Sequence, residues 1–331
     1  MRRLLDVHPD HHRRSAARHP AQPHGPRANG PVRRPLPHRY PDITLEIIHV
    51  VSEGDAHRCP LAQIGGKGAF TRRADTLLLD GRVDATIACA KDVQSEHDRS
   101  PGISLGAVLP REDARDALVL PTGHPPTCLA DLPPGTRVGT SAPRRAALLR
   151  ALHPHLVPAP IRGNADRRLT HLDAGTLGAD VMIAAYAGLR RLGHTDRASE
   201  ILYPARWLPA SGAGIVTIEH RTGDTATHSL LAALTHTPTE FQYTAERATL
   251  AALKGGCLTA ASAHAVLDPD GRQLTVHAAV LDPAGNAPLT ATASGPCTEA
   301  GNTGHHTGQQ LLADGAARLL TAGHETRDHS S

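Results

Sequence analysis

The chain has 331 residues, a formal charge of +3 and 2% aromatic residues. This length suffices for two or three domains and a sizeable core, built mainly from leucine, valine, isoleucine and alanine. The sequence has no apolar run of 18 residues and no apolar segment after Arg2 and Arg3, so we expect neither a membrane span nor a secretory signal. Its five scattered cysteines indicate the reducing cytoplasm rather than a disulfide framework.

Positive charge is concentrated in residues 1–40, which hold nine arginines against Asp6 and Asp10. This segment has a net charge of +7, so residues 41–331 carry −4 of the total of +3. Because it is also rich in histidine and proline and has no hydrophobic period, we predict that residues 1–40 are disordered or aberrant. It lacks stacking aromatic side chains before Tyr40, and we expect no nucleic-acid partner.

Beyond residue 40, short apolar runs alternate with helical patterns, which is typical of α/β domains with parallel strands. The predicted strands lie around residues 43–51, 83–89, 103–109, 117–120, 137–142, 156–161, 181–186, 215–219, 263–267 and 274–281. The predicted helices lie around residues 77–79, 143–152, 168–174, 187–193, 244–254 and 308–322. The Gly-rich turn and strand at 208–219 are placed to return the chain to the first sheet.

These elements group into an N-terminal segment and three domains. Residues 41–115 with 210–233 are expected to form domain 1, residues 116–209 domain 2, and residues 237–323 a small α+β domain 3. The fold class predicted from the element order is α/β for the first two domains.

Arginines are concentrated between residues 139 and 169, where the only acidic residue is Asp166. The members of this arginine cluster are Arg144, Arg145, Arg150, Arg162, Arg167 and Arg168. A guanidinium is a planar fork that grips a carboxylate or phosphate with two hydrogen bonds and stays charged at any working pH. A solvated basic helix would have the same composition. The Thr-Ser helix start before Arg144 and the loop position of Arg162 favour a receptor for a multiply charged anion.

Two further places carry candidate chemistry. Lys91 and Asp92 follow a strand, at the edge of an open sheet where ligands collect and where Thr140 and Arg162 are also expected. A lone carboxylate among cations is suited to stabilise a developing positive charge or to move a proton, although a helix cap or an ion pair with Lys91 would also account for Asp92. Cys257 follows two glycines and is either a buried small residue or a thiol presented to an electrophile.

Two other functions are not supported by the sequence. The run at 65–68 (GGKG) lacks the Ser or Thr that a P-loop requires, which argues against nucleotide binding. The histidines and cysteines show no metal-ligand spacing, and we expect no metal site.

Nine motifs stand in one order along residues 40–322. They are GGKGAF, KDV, REDARDA, VGTSAPRR, IRGNADRRL, AGLRRLG, LPASGAG, TAERA and GGC. In this order they resemble the hydroxymethylbilane synthase (porphobilinogen deaminase) family. The resemblance implies two periplasmic-binding-protein-like α/β domains, a small C-terminal α+β domain, and a monomer. We expect no membrane partner, because the sequence has no apolar run long enough to span a membrane.

The same resemblance implies a dipyrromethane cofactor linked by a thioether to Cys257. Four porphobilinogen units would be added to it with loss of ammonia, so the partners are porphobilinogen and the growing oligopyrrole. Asp92 matches the catalytic aspartate of the family. The cofactor-binding residues implied with Cys257 are Lys67, Lys91, Thr140, Ser141, Arg144, Arg145, Arg168 and Arg191, and the substrate-binding residues are Arg162, Asn164 and Phe70.

The chain departs from the family pattern at several places. Nothing in residues 1–40 matches the family's first strand and the arginine and serine that follow it. Gln63, Cys89, Ala213 and Lys254 stand where the family has lysine, serine, glutamine and an acid. Loss of the first strand would remove central hydrogen bonds from a parallel sheet. A catalytically impaired or repurposed member that binds a pyrrolic or other polyanionic ligand is therefore the alternative hypothesis.

Overall fold

The computed structural model describes residues 2–6, 45–49, 71–93, 100–254 and 260–320. In these ranges the chain forms two five-stranded sheets and one three-stranded sheet, each with helices packed on it. None of the helices in these ranges is long and apolar enough to cross a membrane.

The first sheet has the strand order β2-β1-β3-β10-β4. Its strands are β1 (Arg2–Asp6), β2 (Leu45–His49), β3 (Ala85–Cys89), β4 (Ile103–Val108) and β10 (Val216–Arg221). The strands β2, β1 and β3 are parallel, and β10 runs antiparallel between β3 and β4. Helix α1 (Arg72–Leu79) precedes β3, with Leu78 fully buried, and helix α5 (Thr225–Ala232) covers β4 and β10 with Leu231.

Strand β1 corrects the expectation for the N-terminus. Residues 2–6 pair in parallel with Leu45–His49 on one side and with Ala85–Ile87 on the other. The prediction that residues 1–40 are disordered or aberrant is therefore wrong for residues 2–6, while residues 7–40 lie outside the described residues. The composition of forty residues hid one five-residue strand that contains Leu4 and Leu5. Because β1 lies between β2 and β3, the parallel part of the sheet keeps the central hydrogen bonds that loss of a first strand would have removed.

The second sheet has the order β7-β6-β8-β5-β9. Its strands are β5 (Asp116–Val119), β6 (Arg137–Thr140), β7 (Val157–Pro160), β8 (Val181–Ala185) and β9 (Ala198–Ile201). The helices that follow β6, β7 and β8 are α2 (Pro143–Leu152), α3 (Ala165–Asp173) and α4 (Tyr186–Leu192). Strands β6, β7 and β8 are parallel, so the loops that carry the arginine cluster leave one edge of this sheet.

The chain passes between the two sheets twice. It leaves the first sheet after β4 and enters the second at β5, and it returns from β9 through residues 202–215 to β10. The prediction that the strand after the Gly-rich turn rejoins the first sheet is confirmed. We call residues 109–115 crossover 1 and residues 208–215 crossover 2.

The third unit is an antiparallel sheet in the order β11-β12-β13, with two helices on one face. Its elements are α6 (Thr237–Ala252), β11 (Ala261–Leu267), β12 (Gln273–Val280), β13 (Leu289–Pro296) and α7 (Ala300–Ala313). Helices α6 and α7 lie close together because Gly304 has no side chain, and a Cβ there would overlap the Ala245 carbonyl. Strands β9 and β13 and helix α5 were not predicted.

Glu246 on α6 joins all three units. Its fully buried carboxylate lies 2.6 Å from Arg111 Nη1 in crossover 1 and accepts a hydrogen bond of 2.6 Å from the Gly212 amide in crossover 2. It also accepts the Ala265 amide of β11 at 2.8 Å. Burial opposes ionisation of Glu246, but the charge of Arg111 and the neighbouring His264 outweigh it and lower the pKa of the carboxyl from 4.5 to about 2.

The first prediction concerns this carboxylate. A depressed folded-state pKa means that the stabilisation is complete above pH 4.5 and is lost as the pH falls towards 2. Glu246→Gln should therefore lower the free energy of unfolding at neutral pH by about 3 kcal/mol, at roughly 1.4 kcal/mol per pKa unit. Urea unfolding at neutral pH and at about pH 3 measures this, and the deficit of the variant should shrink at the lower pH. Glu240→Gln, in the first turn of the same helix, is the control, and equal losses in both variants would contradict the assignment.

Candidate active site

The turn that carries Asp92 lies at the carboxyl end of β3. Residues Ala90–Asp92 form a single 3-10 turn, and the Ala90 amide donates to the Ile215 carbonyl at 3.0 Å. Crossover 2 packs directly against this turn, because a Cβ on Gly212 would lie 2.9 Å from the Lys91 nitrogen. Within the described part of the chain the Asp92 carboxylate makes no hydrogen bond and no ion pair, so it neither caps a helix nor pairs with Lys91.

The opposing edge, in the second sheet, gathers the ends of β6 and β7. Thr140 is buried and its Oγ1 accepts the Ala142 amide at 3.1 Å. Arg168, on α3, donates from Nη2 to Ser141 Oγ at 3.1 Å, which joins the two loops. Asn164 caps α3 by accepting the Arg167 amide at 2.9 Å, so its side chain has a local structural role. Arg162 lies half-buried in the loop before this cap.

Arg144 and Arg145 begin α2 and are both buried against Asp116. Arg144 Nη2 and Arg145 Nη2 each lie 2.6 Å from the carboxylate of Asp116, and Trp207 Nε1 donates to it at 3.0 Å. Arg144 also donates to the Leu208 carbonyl at 2.7 Å, and Arg145 to the Ile183 carbonyl at 2.9 Å. The two arginines expected to grip an anion therefore bind an internal carboxylate.

The Asp116 cluster still contributes positive charge to this edge. Burial would raise the pKa of Asp116, but the two guanidinium groups hold it well below its ordinary value, so the carboxyl is ionised. One negative and two positive groups leave a net charge of +1 at the N-terminus of α2, where the helix dipole adds to it. The cluster thus fixes α2 and also makes this edge attractive to anions.

Arg191 on α4 connects the two edges. Its Nη2 donates to the Gly214 carbonyl of crossover 2 at 3.1 Å, and its Nη1 lies 3.7 Å from Cys89 Sγ at the end of β3. A cation from the second sheet therefore reaches the strand that leads into Lys91 and Asp92. Of the predicted site residues, Lys91 and Asp92 lie at the end of β3 in the first unit, and Thr140, Ser141, Arg168 and Arg191 belong to the second unit.

Cys257, Lys67 and Phe70 lie outside the described residues, but both ends of the Cys257 loop are described. Helix α6 ends at Ala252, and β11 begins at Ala261. The Ala263 amide donates to Ser211 Oγ at 2.8 Å, and Ser262 Oγ donates to the Pro209 carbonyl. The start of β11, the strand that follows this loop in the sequence, is thus fixed to crossover 2.

Sequence reasoning missed Asp116, Glu246, Arg111 and Ser211. Three of them stand in the motifs REDARDA and TAERA, which resemblance used only as markers. The feature that could have revealed the charged ones is a charged residue inside a short stretch that also forms a buried strand or helix. Such a charge needs a buried partner, which spacing along the chain does not reveal.

Two α/β units joined by two crossovers, with cationic side chains of both at the strand ends described above, define a two-domain α/β fold. The described residues contain no group of three or more side chains placed to ligate a metal.

Comparison with known proteins shows the family of the chain. The family model described as the porphobilinogen deaminase dipyrromethane cofactor binding domain matches residues 30–229, and the model of the C-terminal domain matches residues 241–313. Porphobilinogen deaminase 2 of Streptomyces coelicolor is 40% identical over 289 residues, 87% of this chain and 90% of its own length. Porphobilinogen deaminase of Bordetella parapertussis is 41% identical over 290 residues, with the same coverage of 87% and 90%. The VFT2 domain of BvgS from Bordetella pertussis has a TM-score of 0.37 and 17% identity, covering 60% of this chain and 73% of that one.

The chain belongs to the porphobilinogen deaminase family and contains its dipyrromethane cofactor-binding domain. The predicted fold class, two α/β domains with a small C-terminal α+β domain, is confirmed. The described residues fit such a cofactor chemically, since its carboxylates would meet ammonium and guanidinium groups from both domains and the positive end of α2.

A second prediction follows from the Asp116 cluster. Asp116→Asn leaves two arginines buried without a counter-charge, and we expect a loss of about 3–5 kcal/mol in the free energy of unfolding of the second domain. Trp207, the single tryptophan of the chain, donates to Asp116 and reports on the cluster by its fluorescence during urea unfolding. The matched control is Asp196→Asn, at an exposed aspartate of the same domain. A loss no larger than that of the control would show that the cluster is not needed for the fold.

Proposed function

We propose that the chain is a hydroxymethylbilane synthase, a transferase that joins four porphobilinogen units, each with loss of ammonia, into a linear tetrapyrrole. The observation that carries the proposal is the carboxylate of Asp92, which lacks a partner in the described part of the chain and belongs to a turn that directly follows β3. The last residue of that strand, Cys89, is reached by Arg191 of the second domain. We infer further that the enzyme works as a monomer in the cytoplasm.

The cationic edges suit the charge of the substrate and product. Each porphobilinogen unit brings two carboxylates, so the product gains negative charge at every step and needs many guanidinium and ammonium partners. We assign cofactor binding to Cys257, Lys67, Lys91, Thr140, Ser141, Arg144, Arg145, Arg168 and Arg191. Substrate binding is assigned to Arg162, Asn164 and Phe70.

The burial of Arg144 and Arg145 refines their role. Their guanidinium groups already bind Asp116, so we infer that they attract ligand carboxylates mainly through the net charge of the cluster and the N-terminus of α2. Lys91, Arg162 and Arg168 are less buried and are better placed for direct contacts with the carboxylates.

Asp92 is the catalytic residue of the proposal. Loss of ammonia from porphobilinogen leaves positive charge on the pyrrole ring, and a carboxylate fixed beside it stabilises that charge and accepts a pyrrole N–H. When bound, the dipyrromethane supplies the nucleophilic pyrrole carbon to which the first unit is added. Asp92 remains available because the Ala90–Asp92 turn is fixed by its backbone rather than by its carboxylate.

A third prediction tests the covalent attachment. Intact-mass measurement of the purified chain should show an excess equal to a dipyrromethane. The excess should vanish in Cys257→Ser and persist in Cys128→Ser, which alters a thiol in the second domain. An unmodified parent that forms no tetrapyrrole from porphobilinogen would refute the proposed function.

A fourth prediction separates chemistry from attachment. Asp92→Ala should retain the mass excess but lose turnover of porphobilinogen, because removal of an electrostatic stabiliser typically costs about 100-fold or more in kcat. Asp131→Ala, at an exposed aspartate of the second domain, should keep the parental rate. Normal turnover by Asp92→Ala would show that the catalytic assignment is wrong.

A further inference from the structure

Helix α6 of the third domain lies directly beneath the turn that carries Asp92. Tyr243 packs in one buried apolar cluster with Ala90, Val108 and Ile215 of the first domain. One turn further along the helix, Arg247 donates from Nη1 to the Val93 carbonyl at 3.2 Å. Arg247 Cζ also lies 5.9 Å from the centroid of the Tyr243 ring, so the side chain is held against the helix.

Arg247 contacts the C-terminal side of the turn, whereas crossover 2 contacts its N-terminal side. Crossover 2 fixes the N-terminal flank, since the Ala90 amide bonds to Ile215 and Gly212 packs on Lys91. Val93 follows Asp92 directly, and its carbonyl is bound by a side chain that is 6% exposed. A charge-assisted hydrogen bond in such a buried place fixes a backbone group firmly.

The same helix leads to the predicted attachment cysteine. Arg247 precedes Cys257 by ten residues, and the preceding residue, Glu246, binds both crossovers. Neighbouring helix positions point about 100° apart, so Glu246 and Arg247 bind different parts of the molecule from one helix. Helix α6 therefore contacts both crossovers and the residue that follows the turn of Asp92, and in the sequence it leads into the loop of Cys257.

We propose that Arg247 is a positioning residue for Asp92. By holding the Val93 carbonyl, it fixes the Ala90–Asp92 turn relative to the helix from which the Cys257 loop departs. The inference rests on the proposed function for the catalytic role of Asp92, whereas the contact itself does not.

The experiment uses the full chain and the variants Arg247→Met and Arg247→Lys. Hydrogen exchange of the peptide spanning residues 85–93 should be faster in Arg247→Met and close to parental in Arg247→Lys, whose ammonium can still donate to Val93. With porphobilinogen, kcat of Arg247→Met should fall about 10- to 100-fold, the cost of a reacting group displaced by an ångström. Its KM should stay within roughly twofold, since substrate binding is unaffected, and Arg247→Lys should recover most of the lost kcat.

Arg197→Met is the matched control, because it removes a guanidinium that pairs with Asp173 in the second domain at 2.8 Å. It should leave both the exchange of residues 85–93 and kcat unchanged. If Arg247→Met does not fold, Arg247→Gln replaces it, with a side chain too short to reach Val93.

Two results would overturn the proposal. One is parental exchange at residues 85–93 in the folded Met or Gln variant, and the other is faster exchange there with an unchanged kcat. A parent chain that forms no tetrapyrrole would refute the proposed function instead. The exchange measurement then still decides whether Arg247 holds the turn.

Discussion

The buried carboxylate of Glu246 sets the arrangement of the three domains. It binds Arg111 of crossover 1, the Gly212 amide of crossover 2 and the Ala265 amide of β11. Both connections between the first two domains thus meet on a helix of the third. A charge at this depth is costly unless every oxygen is satisfied, so the junction tolerates few other arrangements of the chain.

A second buried carboxylate, Asp116, divides the arginine cluster into two kinds. Arg144 and Arg145 satisfy Asp116 and fix the start of α2, while Arg162 and Arg168 lie half-buried where β7 leads into α3. The number of arginines in a stretch therefore does not give the number of groups that are available to bind an anion. One of the two positive charges of Arg144 and Arg145 is neutralised by Asp116. The other adds to the positive end of the helix dipole at the N-terminus of α2.

Most helices and strands could be predicted, because apolar runs such as residues 181–186 are long enough to reveal their period. Strand β13 was missed because its small residues, alternating alanine with threonine or serine, form no apolar run. Strand β1 was missed because five residues were averaged with a basic, proline-rich segment. In the site, the position of Asp92 at a strand end followed from the sequence. The pairing of Asp116 with Arg144 did not, since 28 residues separate them.

At three positions where the residue differs from the family pattern, the structural contact is made by the backbone or by a weak acceptor. Ala213, in place of glutamine, accepts Arg111 Nε through its carbonyl at 3.0 Å, which any residue offers. Cys89, in place of serine, keeps an acceptor 3.7 Å from Arg191. Lys254, in place of an acid, has a φ of 50°, and its amide closes the end of α6 on Ala251. Its cation also suits the C-terminus of a helix. These substitutions therefore keep the contacts of crossover 2, of the end of β3 and of the end of α6.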